Sequence, residues 1–251
     1  MYNVACLTDV GLVRDHNEDT ILVERTLDMF IVADGMGGHA KGEVASQMLV
    51  DSFLSGYNSL PVVLEVDNDD TIVPSIGAEN RLNHCVKVAT DKIFHYAKEK
   101  EIEGTIGTTV VGLKYISDLR TWAVFHLGDS RAYMYRQGSL NQLTTDHSKY
   151  EEMKQKHLTE EEIEKTGKNM ITKAVGNFNP FELEIQYINP KLKDIFLLCS
   201  DGVTDLCTNE ELLRLIIQYK NNLDLLCMQI KNLVYTRGGK DNLSVIAIEI
   251  K

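Results

Sequence analysis

Only 4 prolines occur in 251 residues, and no stretch rich in proline, glycine or serine divides the chain, so nothing reads as an interdomain linker. One domain spanning residues 1–251 is therefore expected. Positive charge is scarce as well. Lys and Arg number 26 against 37 Asp and Glu, a formal net charge of -11, which argues against a nucleic-acid partner that would demand a basic face. No apolar run reaches the ~18 residues that a membrane span needs. The start, MYNVACLTDVGLVRD, lacks the basic head and long apolar centre of a secretory signal. Cysteine is sparse and odd in number: Cys6, Cys85, Cys199, Cys207 and Cys227 include no CxxC pair. Buried reduced thiols in a cytoplasmic protein are expected, with no disulfides and no membrane contact.

Several familiar phosphate and metal signatures are missing too. A P-loop fails because Asp241 follows Gly239-Lys240 and Val234 holds the place of the first glycine. No cysteine has an arginine six positions on; Cys207 comes nearest, with Arg214 one residue too far, so a cysteine-nucleophile phosphatase is excluded. There is no HExxH. A calcium loop opening at Asp67 would need glycine as its sixth residue, where Ile72 stands.

One glycine motif invites a nucleotide reading. Gly35-Met36-Gly37-Gly38-His39-Ala40 fits GxGxxG/A after an apolar run and before a helical pattern, and a later apolar run ends at Asp67, where a ribose carboxylate is wanted. Two features oppose a dinucleotide-binding oxidoreductase. Asp34 would set a negative charge beside the pyrophosphate, and the flanking segments read as antiparallel strands, not as a βαβ series.

What remains is an ordinary globular composition, 43% hydrophobic and 25% charged. Strand-like runs are read at residues 3–8, 20–23, 29–33, 108–116 and 121–129, with a hairpin turning at Gly138 and further strands at 183–187, 195–199 and 243–250. Helical periodicity marks residues 42–54, 79–100, 149–166, 209–219 and 224–235. Residues 56–77 read as a long acidic surface loop carrying Asp67, Asp69 and Asp70. Strands in blocks separated by helix pairs indicate an α+β fold.

Six aspartates stand in short polar or glycine-bearing breaks after apolar runs: Asp19, Asp34, Asp129, Asp146, Asp201 and Asp241. Gathered by folding, they would repel one another unless cations lay between them. An all-oxygen set of this kind suits magnesium or manganese. Singly, each break could be a turn or a helix cap; their joint occurrence in order points to a carboxylate-lined binuclear metal site.

The ordered segments Arg14-Asp15-His16-Asn17-Glu18-Asp19, Asp34-Gly35-Met36-Gly37-Gly38-His39, Gly107-Thr108-Thr109, Gly128-Asp129-Ser130-Arg131, Asp146-His147-Ser148, Ile171-Thr172-Lys173-Ala174-Val175-Gly176, Ser200-Asp201-Gly202 and Gly239-Lys240-Asp241-Asn242 resemble the metal-dependent serine/threonine protein phosphatases of the PPM or type 2C family, in a compact bacterial form. The resemblance implies a four-layer α-β-β-α sandwich of two antiparallel sheets flanked by helix pairs, with a flap at about residues 147–170. It implies hydrolysis of phosphoserine and phosphothreonine by a water that two Mn or Mg ions activate. By the same likeness Asp34 bridges the ions, the Gly35 carbonyl binds one, and Asp201 and Asp241 bind the other. Glu18 and Asp19 act through water, and Asp129 with Asp201 holds a weaker third ion. Arg14 grips the substrate phosphate and His39 is the candidate proton donor. Phosphoproteins, an opposing serine/threonine kinase and a monomeric state are the partners implied.

Other readings stay beside these. His39 could cap the helix it precedes, His147 could bond within the flap or do nothing special, and His126 reads as a satisfied core histidine. Arg131 is expected to orient Asp129 or support the fold. Lys173 stands where the family commonly has arginine. A catalytically inactive phosphoprotein-binding relative would be expected to lose metal aspartates, which this chain keeps.

Overall fold

The structure, a computed structural model, describes residues 1–37, 41–60, 77–102, 104, 106–156, 170–176 and 182–251, with the backbone of residues 64–66 and 72–74. Two antiparallel sheets stack face to face. The first holds β1 (Tyr2–Asp9), β13 (Leu243–Ile250), β12 (Ile195–Cys199), β9 (Arg131–Arg136) and β10 (Ser139–Gln142), in that order. The second holds β11 (Glu184–Ile188), β8 (Thr121–Leu127), β7 (Val110–Ile116), β3 (Met29–Met36) and β2 (Asp19–Glu24), with β6 (Gly107–Thr108) paired to the end of β3. Helices α1 (Gly42–Gly56) and α2 (Ala78–Glu99) cover the second sheet. Helices α5 (Asn209–Tyr219) and α6 (Leu223–Thr236) cover the first.

Alternation along the strands builds this layering. In β3, Phe30 and Val32 point between the sheets, where they meet Phe196, Leu198, Ile246 and Ile248. Met29, Ile31 and Ala33 point the other way and pack with Leu49, Phe53 and Phe125 beneath the helices. A strand covered on both faces has no polar side, which is why MFIVA reads as an unbroken apolar run. The tight turn between β9 and β10 places Gln137 and Gly138 at φ 51° and 92°, the geometry that a two-residue hairpin loop favours.

The expected elements lie close to the observed ones, with three differences. Residues 56–77 read as loop in the sequence, yet β4 (Leu64–Val66) pairs with β5 (Ile72–Pro74) there; β-branched residues favour that pairing. The charged helix expected over 149–166 is described only as α3 (Lys149–Gln155), and the rest lies outside the described residues. A short helix, α4 (Asp201–Thr204), follows β12 directly. Cys85, Cys199, Cys207 and Cys227 are buried free thiols, whereas Cys6 is exposed because it sits on the edge strand β1. Among the described residues no helix is long and apolar enough to cross a membrane.

Candidate active site

Antiparallel pairing sends several chain breaks to one end of the sandwich. β2 begins where β3 ends, β12 ends where β13 begins, and β8 ends on the same side, at the corner that crosses into β9. Asp19, Asp34, Asp129, Asp201 and Asp241 all stand at these strand ends. Asp19 lies directly across from Asp34 in the β2–β3 ladder.

Hydroxyls and amides hold the carboxylates in place. Ser200 Oγ donates to Asp19 Oδ2 at 2.8 Å, while the Ser244 amide donates to Ser200 Oγ at 2.9 Å, so both sheets meet at the buried Asp19. The Asp34 amide donates to Thr109 Oγ1 at 3.1 Å, and Thr108 Oγ1 donates to the Asp34 carbonyl at 2.9 Å. Thr109 Oγ1 lies 2.7 Å from Ser130 Oγ, beside Asp129. Asn242 organises the N-terminal loop. Its Oδ1 accepts from the Glu18 amide at 2.8 Å and its Nδ2 donates to the Val10 and His16 carbonyls. Glu18 Oε1 accepts from the Gly42 amide at 3.3 Å at the start of α1. A Cβ on Gly35 would lie 2.1 Å from the Gly42 carbonyl oxygen, so only glycine permits this strand end to press against the helix.

The electrostatics are those of crowded, desolvated acids. Burial, opposed in part by bonds from Ser244 and Ser200, pushes Asp19 up to about 7. Burial and the charge of Asp201 push Asp129 up to about 7. Burial and the charge of Asp205 push Asp201 up to about 6. Asp34 is raised well above the carboxylate range, by burial first and then by Asp19, Asp201 and Asp129. Asp19 Oδ1 and Asp129 Oδ1 are buried with no hydrogen-bonding partner. Such orphaned anionic oxygens, mutually repelling, fit a divalent cation or its waters.

The remaining predicted residues are less uniform. Arg14 lies at the rim, its Nη2 2.8 Å from Asp241 Oδ2. Asp146 does not join the basin as a free carboxylate: Arg131 grips it through Nε and Nη2 at 2.7–3.1 Å. His39 lies outside the described residues. His126 is buried and bonded to the Thr145 carbonyl at 2.9 Å, the satisfied core histidine expected. Sequence reasoning gave no role to Ser200, Ser244, Asn242 or Gly42. Asn242 and Ser200 adjoin motif aspartates, a signal that was present; nothing marked Ser244 or Gly42.

A sequence model described as Protein phosphatase 2C matches residues 13–227. The serine/threonine phosphatase stp of Listeria welshimeri is 30% identical over 247 residues, covering 96% of this chain and 93% of its own. The serine/threonine phosphatase structure of S. agalactiae superposes with a TM-score of 0.84 at 27% identity, covering 100% of both chains. The catalytic domain of PstP, solved in complex with 2 manganese ions, gives a TM-score of 0.80 at 27% identity and covers 100% of this chain and 99% of that one. Likeness on this scale, in a sandwich whose end gathers acids that cannot all stay ionised alone, shows that the chain belongs to the protein phosphatase 2C family of serine/threonine phosphatases.

Proposed function

We propose that the acidic basin is the catalytic centre of this metal-dependent protein phosphatase and that it hydrolyses phosphoserine and phosphothreonine in protein substrates. The observation that carries the reading is Asp34, set against Asp19, Asp129 and Asp201 in one buried cluster whose acids are all raised. Asp34 and the Gly35 carbonyl, with Asp201 and Asp241, would hold two Mn or Mg ions. Asp129 with Asp201 would hold a weaker third, and Glu18 and Asp19 would act through water. When bound, such ions acidify the attacking water and offset charge on the phosphoryl oxygens.

The chain's own residues do the rest. Arg14 offers a planar fork that matches two phosphate oxygens. Asp34, fixed by Thr108 and Thr109, orients the centre against the phosphoryl group. His39, next to α1 in sequence, is the candidate donor of a proton to the departing serine or threonine oxygen. The whole chain acts as one phosphatase domain, a monomer in the cytoplasm that opposes a serine/threonine kinase.

Manganese-dependent hydrolysis of p-nitrophenyl phosphate and of a phosphothreonine peptide tests the reading. Both activities should vanish with chelator and fall about 10³-fold or more in Asp34→Asn, the loss of several kcal/mol of transition-state stabilisation. Phosphopeptide binding without turnover in the wild type would instead mark a binding module.

A further inference from the structure

Outside the basin, one carboxylate collects two histidines and a lysine. Glu184 Oε1, at the start of β11, accepts from His147 Nε2 at 2.7 Å and from Lys173 Nζ at 3.2 Å. Glu184 Oε2 lies 3.9 Å from His126 Nε2. His126 is the register partner of Glu184 in β8 and stacks on His147, with ring centroids 4.8 Å apart and planes 7° from parallel.

His147 is held at its other nitrogen as well. The Gly128 amide donates to Nδ1 at 3.0 Å, and the His147 amide donates back to the Gly128 carbonyl at 2.9 Å. Because Nδ1 accepts, the proton of the neutral ring sits on Nε2 and points at Glu184. A cation on Nε2 would force that proton onto Nδ1, against the Gly128 N–H. His126 Nε2 likewise faces the Thr145 carbonyl. These three groups have metal-ligand chemistry and proximity, yet their hydrogen bonds make them a relay and not a cation site.

The far end of the relay is the corner that carries Asp129. Gly128 adopts φ +116°, and a Cβ there would fall 2.7 Å from the Thr109 side chain. Thr109 in turn accepts from the Asp34 amide. On the other side the chain leaving His147 and the chain returning at residues 170–173 are paired: the Thr172 amide donates to the His147 carbonyl at 2.8 Å, and Ser148 bridges Ile171.

We propose that Glu184 is a positioning residue for the phosphatase reaction: through His147 it fixes the Gly128–Asp129 corner, and through Lys173 it ties the returning chain to the same point. The proposal rests on the reading of Asp129 as the ligand of the weaker ion. The His147 ring is buried although Glu184 itself is 51% exposed, and with both ring nitrogens bonded this arm carries the coupling. The Lys173 arm is partly exposed and supplies one ammonium where an arginine would present a fork, so it contributes less.

Calorimetric titration of the full chain with manganese, together with kinetics on p-nitrophenyl phosphate, tests this. Glu184→Ala should weaken the weakest manganese site and lower kcat by about 10-fold each, as loss of a ligand-orienting partner does, with KM within about 2-fold of wild type. Glu184→Gln, whose amide oxygen still accepts from Nε2–H, should recover most of both, and Lys173→Ala should change them about 2-fold. Asp129→Asn in the same titration is the control. If it loses the weak site while Glu184→Ala keeps the wild-type isotherm and kcat, the positioning role is wrong. If Asp129→Asn leaves the isotherm unchanged, the ligand reading itself fails and the relay with it. Should Glu184→Ala not fold, His147→Gln decides. It can still reach Glu184 but offers Gly128 no ring nitrogen, so the same 10-fold losses are expected and a wild-type isotherm overturns the proposal.

Discussion

Asp19 and Asp34 occupy opposite positions in the β2–β3 ladder, two acids face to face on neighbouring strands. Like charges so placed destabilise a sheet, and burial compounds the cost. Five acids are raised among the described residues, Asp19 and Asp129 to about 7, Asp201 to about 6, Asp34 well above its ordinary range and Asp205 by burial. In the unfolded chain they titrate near ~4. Between those limits the folded chain binds more protons, so stability present at low pH is lost as pH rises through the folded values. Burial lowers His126 and His147, which act in the opposite sense, but two groups oppose five. Chelated protein should therefore melt at a lower temperature at pH ~7.5 than at ~5.5. Manganese should restore more of the loss at the higher pH. Scanning fluorimetry with and without chelator checks this; a chelated melting point that rises across the interval contradicts it.

Arg14 makes a different kind of contact. Its bond to Asp241 raises the guanidinium pKa, but the two side chains are 52% and 40% exposed, and such pairs contribute about 0–1 kcal/mol to stability. Arg14→Ala should leave the melting temperature within about 2 °C of wild type. It should raise KM for p-nitrophenyl phosphate about 10-fold or more through the lost bidentate contact. Arg14→Lys should recover only part, since an ammonium has charge but no fork. A large fall in melting temperature with unchanged KM would assign Arg14 to the fold instead.

Much of this was legible in the sequence, for identifiable reasons. Strands such as 195–199 and 243–250 and the helix at 209–219 matched the observed bounds, because strict burial on both faces writes itself as apolar runs and stripes. Asp34 and Asp201 were legible because an apolar run followed closely by Asp-Gly leaves a local signature. The supporting contacts were not. Ser200 meets Asp19 across 181 positions, and Glu184 sits in a strand with nothing to set it apart from any surface acid. Asp146 shows the converse: its motif looked like those of the basin, yet Arg131, two strands' connection away, neutralises it. Pairing between distant segments fixes such roles, and no local pattern records it.

Gly42 is one of the residues that local pattern passed over. A Cβ there would stand 2.6 Å from the carbonyl carbon and oxygen of Gly35 and 2.9 Å from Glu18 Cδ. All three neighbours are groups that the proposed metal centre uses. In an ordinary helix first turn, glycine to alanine stabilises slightly or does nothing. Gly42→Ala should instead displace the Gly35 carbonyl and lower both manganese affinity and kcat by about 10-fold or more, as shifts in ligand geometry do. Titration calorimetry and kinetics at saturating manganese check it. Wild-type affinity in a folded variant would show that the strand end yields without disturbing the centre.

Arg131 and Asp146 supply the last test, because they separate support from catalysis within one motif. Nε and Nη2 of Arg131 make a bidentate contact to Asp146, and the side chains are only 27% and 15% exposed. Removing one partner of a buried pair costs about 3–5 kcal/mol, and at this exposure roughly 2 kcal/mol is the reasonable figure. For a chain of this size that corresponds to about 4–8 °C in melting temperature. Asp146→Asn should show that loss while kcat at saturating manganese stays within about 3-fold of wild type, unlike any basin acid. The double variant Arg131→Met, Asp146→Asn should regain part of the stability, since it removes the stranded charge. If Asp146→Asn instead silences turnover and leaves the melting curve where it was, Asp146 belongs among the ligands and the ion pair with Arg131 is incidental.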